Sequence, residues 1–112
     1  MALIKQKPSG GMIVYNVTTA VATEKADEWL QWMVQEHGPD VINTGCFTRF
    51  HVLRLLQVDD SEGPTFAIQY YAESMYDYER YLKEYAPKFR QQIAEMWGNA
   101  VVSFRTVMQL IQ

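Results

Sequence analysis

Ile13, Tyr15, Val17, Thr19 and Val21 alternate with Val14, Asn16, Thr18 and Ala20. This two-residue period predicts a β-strand with one strongly apolar face. The period then lengthens. Ala26, Trp29, Leu30, Met33 and His37 recur at helical spacing and form one stripe of an amphipathic helix. Thr23 is the expected N-cap, followed by acidic Glu24. Gly38 and Pro39 are expected to end the helix. An apolar strand follows over 46–58, then a polar turn over 59–64 and a returning strand over 65–73. Together they read as an antiparallel hairpin. Ser74 with Asp77 three residues on predicts the capped start of a second helix. Its buried stripe runs through Tyr78, Leu82, Tyr85, Phe89, Ile93 and Met96. Pro87 predicts a kink or break near Ala86. Gly98 and Asn99 stop the helix, and 101–111 reads as the last strand.

The order β-α-β-β-α-β predicts an α+β, ferredoxin-like domain, a four-stranded antiparallel sheet with both helices on one face. The other face then needs a cover or a polar surface. Placing Val58 opposite Thr65 assigns Val52, Arg54, Gln69 and Tyr71 to that open face. The same parity adds Val14, Asn16 and Thr18 from the first strand. It adds Val101, Ser103, Arg105 and Val107 from the last. Such a face is too apolar to stay wet and too polar for a dry core. The expected solution is a two-fold dimer that closes two sheets over a cavity.

The chain has 112 residues, 48% hydrophobic and 21% charged, which fits one globular domain. A formal net charge of -3 argues against a nucleic-acid partner. Cys46 is the single cysteine, so an internal disulfide and a cysteine zinc site are excluded. No stretch has the apolar length of a membrane span, and the first residues lack the pattern of a signal peptide. A cytoplasmic location is expected. Pro8, Ser9, Gly10 and Gly11 mark residues 1–11 as a flexible tail, with a single domain over 12–112.

Asn16, Arg54, Gln69, Tyr71 and Arg105 are the candidate ligand-binding residues, on the strength of the open-face assignment. Two arginines on one concave face suit a small anionic or aromatic ligand. The competing reading pairs them with Glu73 across a dimer or places them in a buried network. His37 is a possible proton shuttle near neutral pH, or a structural histidine bonded to the following loop. His51 is expected on the helix side, and Cys46 as a small apolar filler. Two histidines without supporting carboxylates make no metal site. No cofactor is expected.

Several segments carry a family resemblance. They are Met12 to Thr18, Trp29 to Met33, His37 to Val41, Gly45 to Thr48, Leu53 to Leu56, Gln69 to Ser74 and Tyr81 to Arg90. Over residues 12–111 the chain resembles a bacterial family catalogued as domain of unknown function 4286. The resemblance implies a dimeric α/β barrel and no assigned reaction. The wider barrel group includes cofactor-free and haem-degrading monooxygenases. The haem-degrading members use a first-strand asparagine with a second-helix histidine. Asn16 matches, but residues 75–97 contain no histidine. Two functional expectations stand side by side. One is a homodimeric binding or regulatory domain with a small-molecule cavity between its sheets. The other is a cofactor-free monooxygenase or isomerase, with Asn16 and Arg105 orienting an oxyanion and Tyr71 or His37 moving the proton.

Overall fold

Strand β1, Ile13–Val21, lies at the interior of the sheet and is buried along most of its length. The computed structural model describes residues 11–112, so most of the expected tail, 1–10, lies outside the described residues. The sheet has the order β2-β3-β1-β4, with β2 Arg49–Arg54, β3 Thr65–Ala72 and β4 Val101–Gln109. Every pairing is antiparallel. This is the ferredoxin-like arrangement that the pattern predicts.

The odd positions of β1 face the helices. Ile13, Tyr15 and Val21 join Phe66, Ile68, Tyr70 and Ala72 of β3 in the core, with Trp29, Trp32, Tyr78 and Tyr81 from the helices. Trp29 stacks on Phe66 with ring centres 5.4 Å apart. Tyr15 touches four aromatic rings, those of Phe47, Tyr70, Tyr78 and Tyr81.

The first helical run departs from its prediction at both ends. Thr23 does not cap it. Residues Thr23–Lys25 form a tight 3-10 turn after Ala22, and helix α1 spans Ala26–Trp32. Gly38 and Pro39 do not end it either. A wide π turn covers Met33–His37, and α2 continues over Gly38–Ile42. The Gly38 amide donates to the Met33 carbonyl, five residues back. Pro39 has no N–H, so a ladder interrupted there can restart within α2. Gly38 keeps an ordinary right-handed conformation, with φ -55°. Its role is space, because a Cβ there would overlap the Phe50 ring.

The second helical run keeps its predicted cap and break, but its buried stripe shifts: Met96 is 49% exposed, while Tyr81 and Trp97 are buried with Tyr78. The Ser74 Oγ accepts from the Asp77 amide at 3.2 Å and donates to the Asp77 carboxylate at 3.1 Å. Helix α3, Met75–Glu84, breaks at Tyr85, and α4, Ala86–Trp97, starts with Pro87 in its first turn.

Strand β2 is shorter than predicted, and its register differs. Arg54 pairs with Phe66 and Val52 with Ile68, three positions away from the expected pairing. An odd slip reverses the faces of a strand. Val52 and Arg54 therefore face the helices, while His51 and Leu53 lie on the open face. The last strand is also reversed. Val21 pairs with Val101 and Val17 with Arg105, which puts Val101, Ser103, Arg105 and Val107 on the helix side.

The open face is thereby redefined in rows. Thr106, Asn16, Gln69 and His51 form a polar row across all four strands. Phe104, Thr18, Ala67 and Leu53 form the next row, and Met108, Val14, Tyr71 and Arg49 lie on the other side. Val102 and Phe104 are 70% and 63% exposed.

Candidate functional site

Between the helix side of the sheet and the helical layer lies a pocket of about 270 Å³. Its floor is Tyr15, Val17, Thr19, Ile68 and Tyr70, with Val101, Ser103 and Arg105 from β4. The helices supply Trp29, Met33 and His37 on one side and Tyr81, Phe89, Arg90 and Ile93 on the other. Most of these groups are apolar or aromatic, and they follow the buried stripes of the two helical runs.

The polar groups concentrate at the edge. The Tyr15 hydroxyl accepts a hydrogen bond from Arg105 Nε at 3.0 Å and a longer one from Arg90 at 3.4 Å. Both arginines are exposed residues that also line the pocket, so they stand at its mouth. Neither has an acidic partner among the described residues. The Thr19 and Ser103 hydroxyls bond each other at 2.8 Å farther along the same two strands.

His37 lies in the wall, 5% exposed. The π turn brings it face to face with Trp32, with ring centres 4.7 Å apart and planes 19° apart. Phe89 meets its edge at 5.3 Å. The buried Nδ1 has no hydrogen-bond partner among the described residues. Burial lowers the imidazole pKa from 6.5 to about 4, against a smaller opposing pull from Asp40. The ring is therefore neutral at pH 7, and its packing between Trp32 and Phe89 fits the structural alternative more than the shuttle near neutrality. Burial likewise raises the Tyr70 and Tyr81 phenols above their ordinary value, so both stay protonated. Among the described residues that line the pocket, the charged side chains are the two guanidiniums at its mouth.

The residues proposed from sequence are divided by the sheet. Asn16, Gln69 and Tyr71 lie on the open face as expected. There Asn16 donates to the Thr18 hydroxyl at 2.9 Å, and Tyr71 donates to Gln69 at 3.2 Å. His51 meets the Tyr71 ring edge-on at 5.4 Å, and the Arg49 guanidinium sits 4.5 Å from its centre. Arg105 is on the helix side, in the pocket. Arg54 is on the helix side too, at the end of β2, pairing with Asp60 at 3.5 Å in a solvent-exposed contact. The five residues thus form no single site. Cys46 is buried, as a filler should be.

Sequence reasoning missed Tyr15 and Arg90. Tyr15 stands on the most apolar face of its strand, where a buried phenol needs a partner for its hydroxyl. That need is a signal the periodicity alone does not use. Arg90 adjoins Phe89 at the border of a buried stripe, where a long side chain can reach over the edge of the core.

Among the described residues, no group of three or more His, Cys, Asp or Glu could hold a metal ion. No helix among them is long and apolar enough to cross a membrane.

The fold and the pocket define a ferredoxin-like α+β domain with a lined cavity on the helix side of its sheet and an uncovered face on the other. Residues 12–111 match the family described as Domain of unknown function (DUF4286), and the chain belongs to that family. No curated protein matches the sequence. Two solved structures share the fold. One is a dimeric ferredoxin-like protein from an uncultured marine organism, with TM-score 0.58 and 9% identity over 91% of this chain and 97% of its own. The other is an ethyl tert-butyl ether D (EthD) family protein from Bacillus halodurans C-125. It has TM-score 0.61 and 10% identity over 84% of this chain and 96% of its own.

Proposed function

We propose that this protein is a homodimeric small-molecule-binding domain. Each protomer binds its ligand in the pocket beneath the helices, and the open sheet faces close against each other. The pocket carries the binding half of this reading. It combines an aromatic, uncharged interior with two convergent guanidiniums at its mouth, and ligand sites are typically apolar with a few placed polar groups. The dimer half rests on the exposed Val102, Phe104, Leu53 and Met108 of the uncovered face. The similarity to a dimeric ferredoxin-like protein supports it. This reading moves the cavity from between the sheets to the helix side of each sheet.

The oxygenase or isomerase alternative needs Asn16, Arg105, Tyr71 and His37 around one substrate. Asn16 and Tyr71 lie across the sheet from Arg105 and His37, so no observation favours that set.

The test is amide-detected NMR with indole and benzoate as probes. Binding should shift the Gly98 amide and the Trp29 indole signal, since both residues line the pocket. Ala94→Trp places a large ring on the pocket wall and should abolish both shifts while leaving the rest of the spectrum folded. No shift from either probe, or shifts that persist in Ala94→Trp, would refute the pocket as a binding site.

A further inference from the structure

We propose that the pocket selects a planar aromatic carboxylate, its ring among the apolar walls and its carboxylate on Arg105 and Arg90. The inference rests on the pocket being a binding site and adds the class of ligand.

Size sets the first limit. A dry apolar cavity of roughly 150 Å³ takes up benzene. A pocket of about 270 Å³ takes one substituted ring or two fused ones, and lies just under the usual span of ligand sites. Wall chemistry sets the second. Trp29, Phe89, Tyr81 and Tyr70 present ring surfaces, and Met33 and Ile93 fill between them. Flat aromatic ligands suit such walls through offset and edge contacts.

Charge sets the third limit. The protein carries a net charge of -3, yet two guanidiniums meet at one phenol oxygen without an acidic partner among the described residues. Tyr15 takes one N–H of each and so fixes where both point. Among the described residues, Arg105 bonds Tyr15 through Nε alone and Arg90 through one terminal nitrogen, which leaves the other guanidinium N–H groups for a ligand. Together they can present a pair of parallel donors, the arrangement a carboxylate accepts. A charged group farther inside would face neutral His37 and protonated tyrosines with nothing to compensate it. The ligand's charge therefore belongs at the mouth and its ring within.

Four probes separate the parts of this statement in the NMR titration: benzoate, benzamide, acetate and inorganic phosphate. Benzoate should bind at least tenfold more tightly than any of the other three. Arg105→Gln and Arg90→Gln should each weaken benzoate by about tenfold and benzamide by clearly less, because a hydrogen bond between two charged groups is worth about that much and one to a neutral carbonyl less. Both arginines are exposed, so the variants should stay folded, and their spectra report whether they do. Equal binding of benzoate and benzamide would overturn the carboxylate while leaving the pocket standing. Equal binding of acetate or phosphate would overturn the aromatic part. Failure of every probe would overturn the pocket reading and this one with it.

Discussion

His37 gives the clearest consequence at the scale of single residues. Its imidazole has a pKa of about 4 in the fold against 6.5 when unfolded. Above pH 6.5 both states are neutral and the group contributes nothing to pH dependence. Below it the unfolded chain takes up a proton that the folded chain refuses, so stability is lost as pH falls towards 4. The loss by pH 5 should be about 2 kcal/mol. Urea unfolding at pH 7 and pH 5, at one protein concentration, should show it. His37→Phe keeps a ring against Trp32 and should flatten the difference. An equal loss in the variant would place the pH dependence elsewhere. The sequence put His37 on a buried stripe correctly. It could not show that the imidazole packs between Trp32 and Phe89, because Phe89 comes from the other helical run.

At the scale of elements, the informative case is the run from Ala26 to Ile42. Gly-Pro after an amphipathic stripe is the usual signal of a helix end. Here the same dipeptide sits inside a continuous run, and the Phe50 ring decides why glycine is needed. In an ordinary exposed helix, Gly→Ala gains about 1 kcal/mol. At Gly38 the added methyl meets an aromatic ring, and overpacking costs about 1–3 kcal/mol. Gly38→Ala should therefore lower stability. Phe50→Leu should recover part of the loss when combined with it, as expected for two residues in contact. A stabilised single variant would contradict the steric account. Chemical denaturation of the three variants checks both points.

The strands show the same division between local and distant causes. The period of β1 and β3 selected one core face, and the pairing of Tyr15 with Tyr70 confirms it. Strand β4 carries apolar residues on both parities: Val101 and Val107 on one, Val102, Phe104 and Met108 on the other. Alternation cannot orient such a strand. The β2–β3 connection is also longer than the turn signals suggest, since Leu55 already bonds Thr65 at 2.9 Å. That change of register took Arg54 off the open face. The order of elements, the capped second helix and the break at Tyr85 were legible because local chemistry determines them. The pocket was not, because its floor joins β1 and β3 to β4, and alternation cannot orient β4.

On the scale of the whole molecule, the sheet separates two tasks. Its helix side holds the proposed ligand pocket. Its other side leaves Val102 at 70% and Phe104 at 63% exposure, beside a polar row that runs through Asn16 and Gln69. Full burial of a large apolar side chain contributes about 1.5–3 kcal/mol, and a two-fold contact counts each residue twice. Phe104→Lys would set like charges in that contact while changing a side chain the isolated protomer leaves largely in solvent. It should weaken the dimer and leave the protomer folded. The most direct measurement is sedimentation equilibrium of the wild-type protein at micromolar concentration. The account predicts a mass twice the 13.0 kDa of one chain, falling towards 13.0 kDa in Phe104→Lys. A wild-type mass of 13.0 kDa would contradict it.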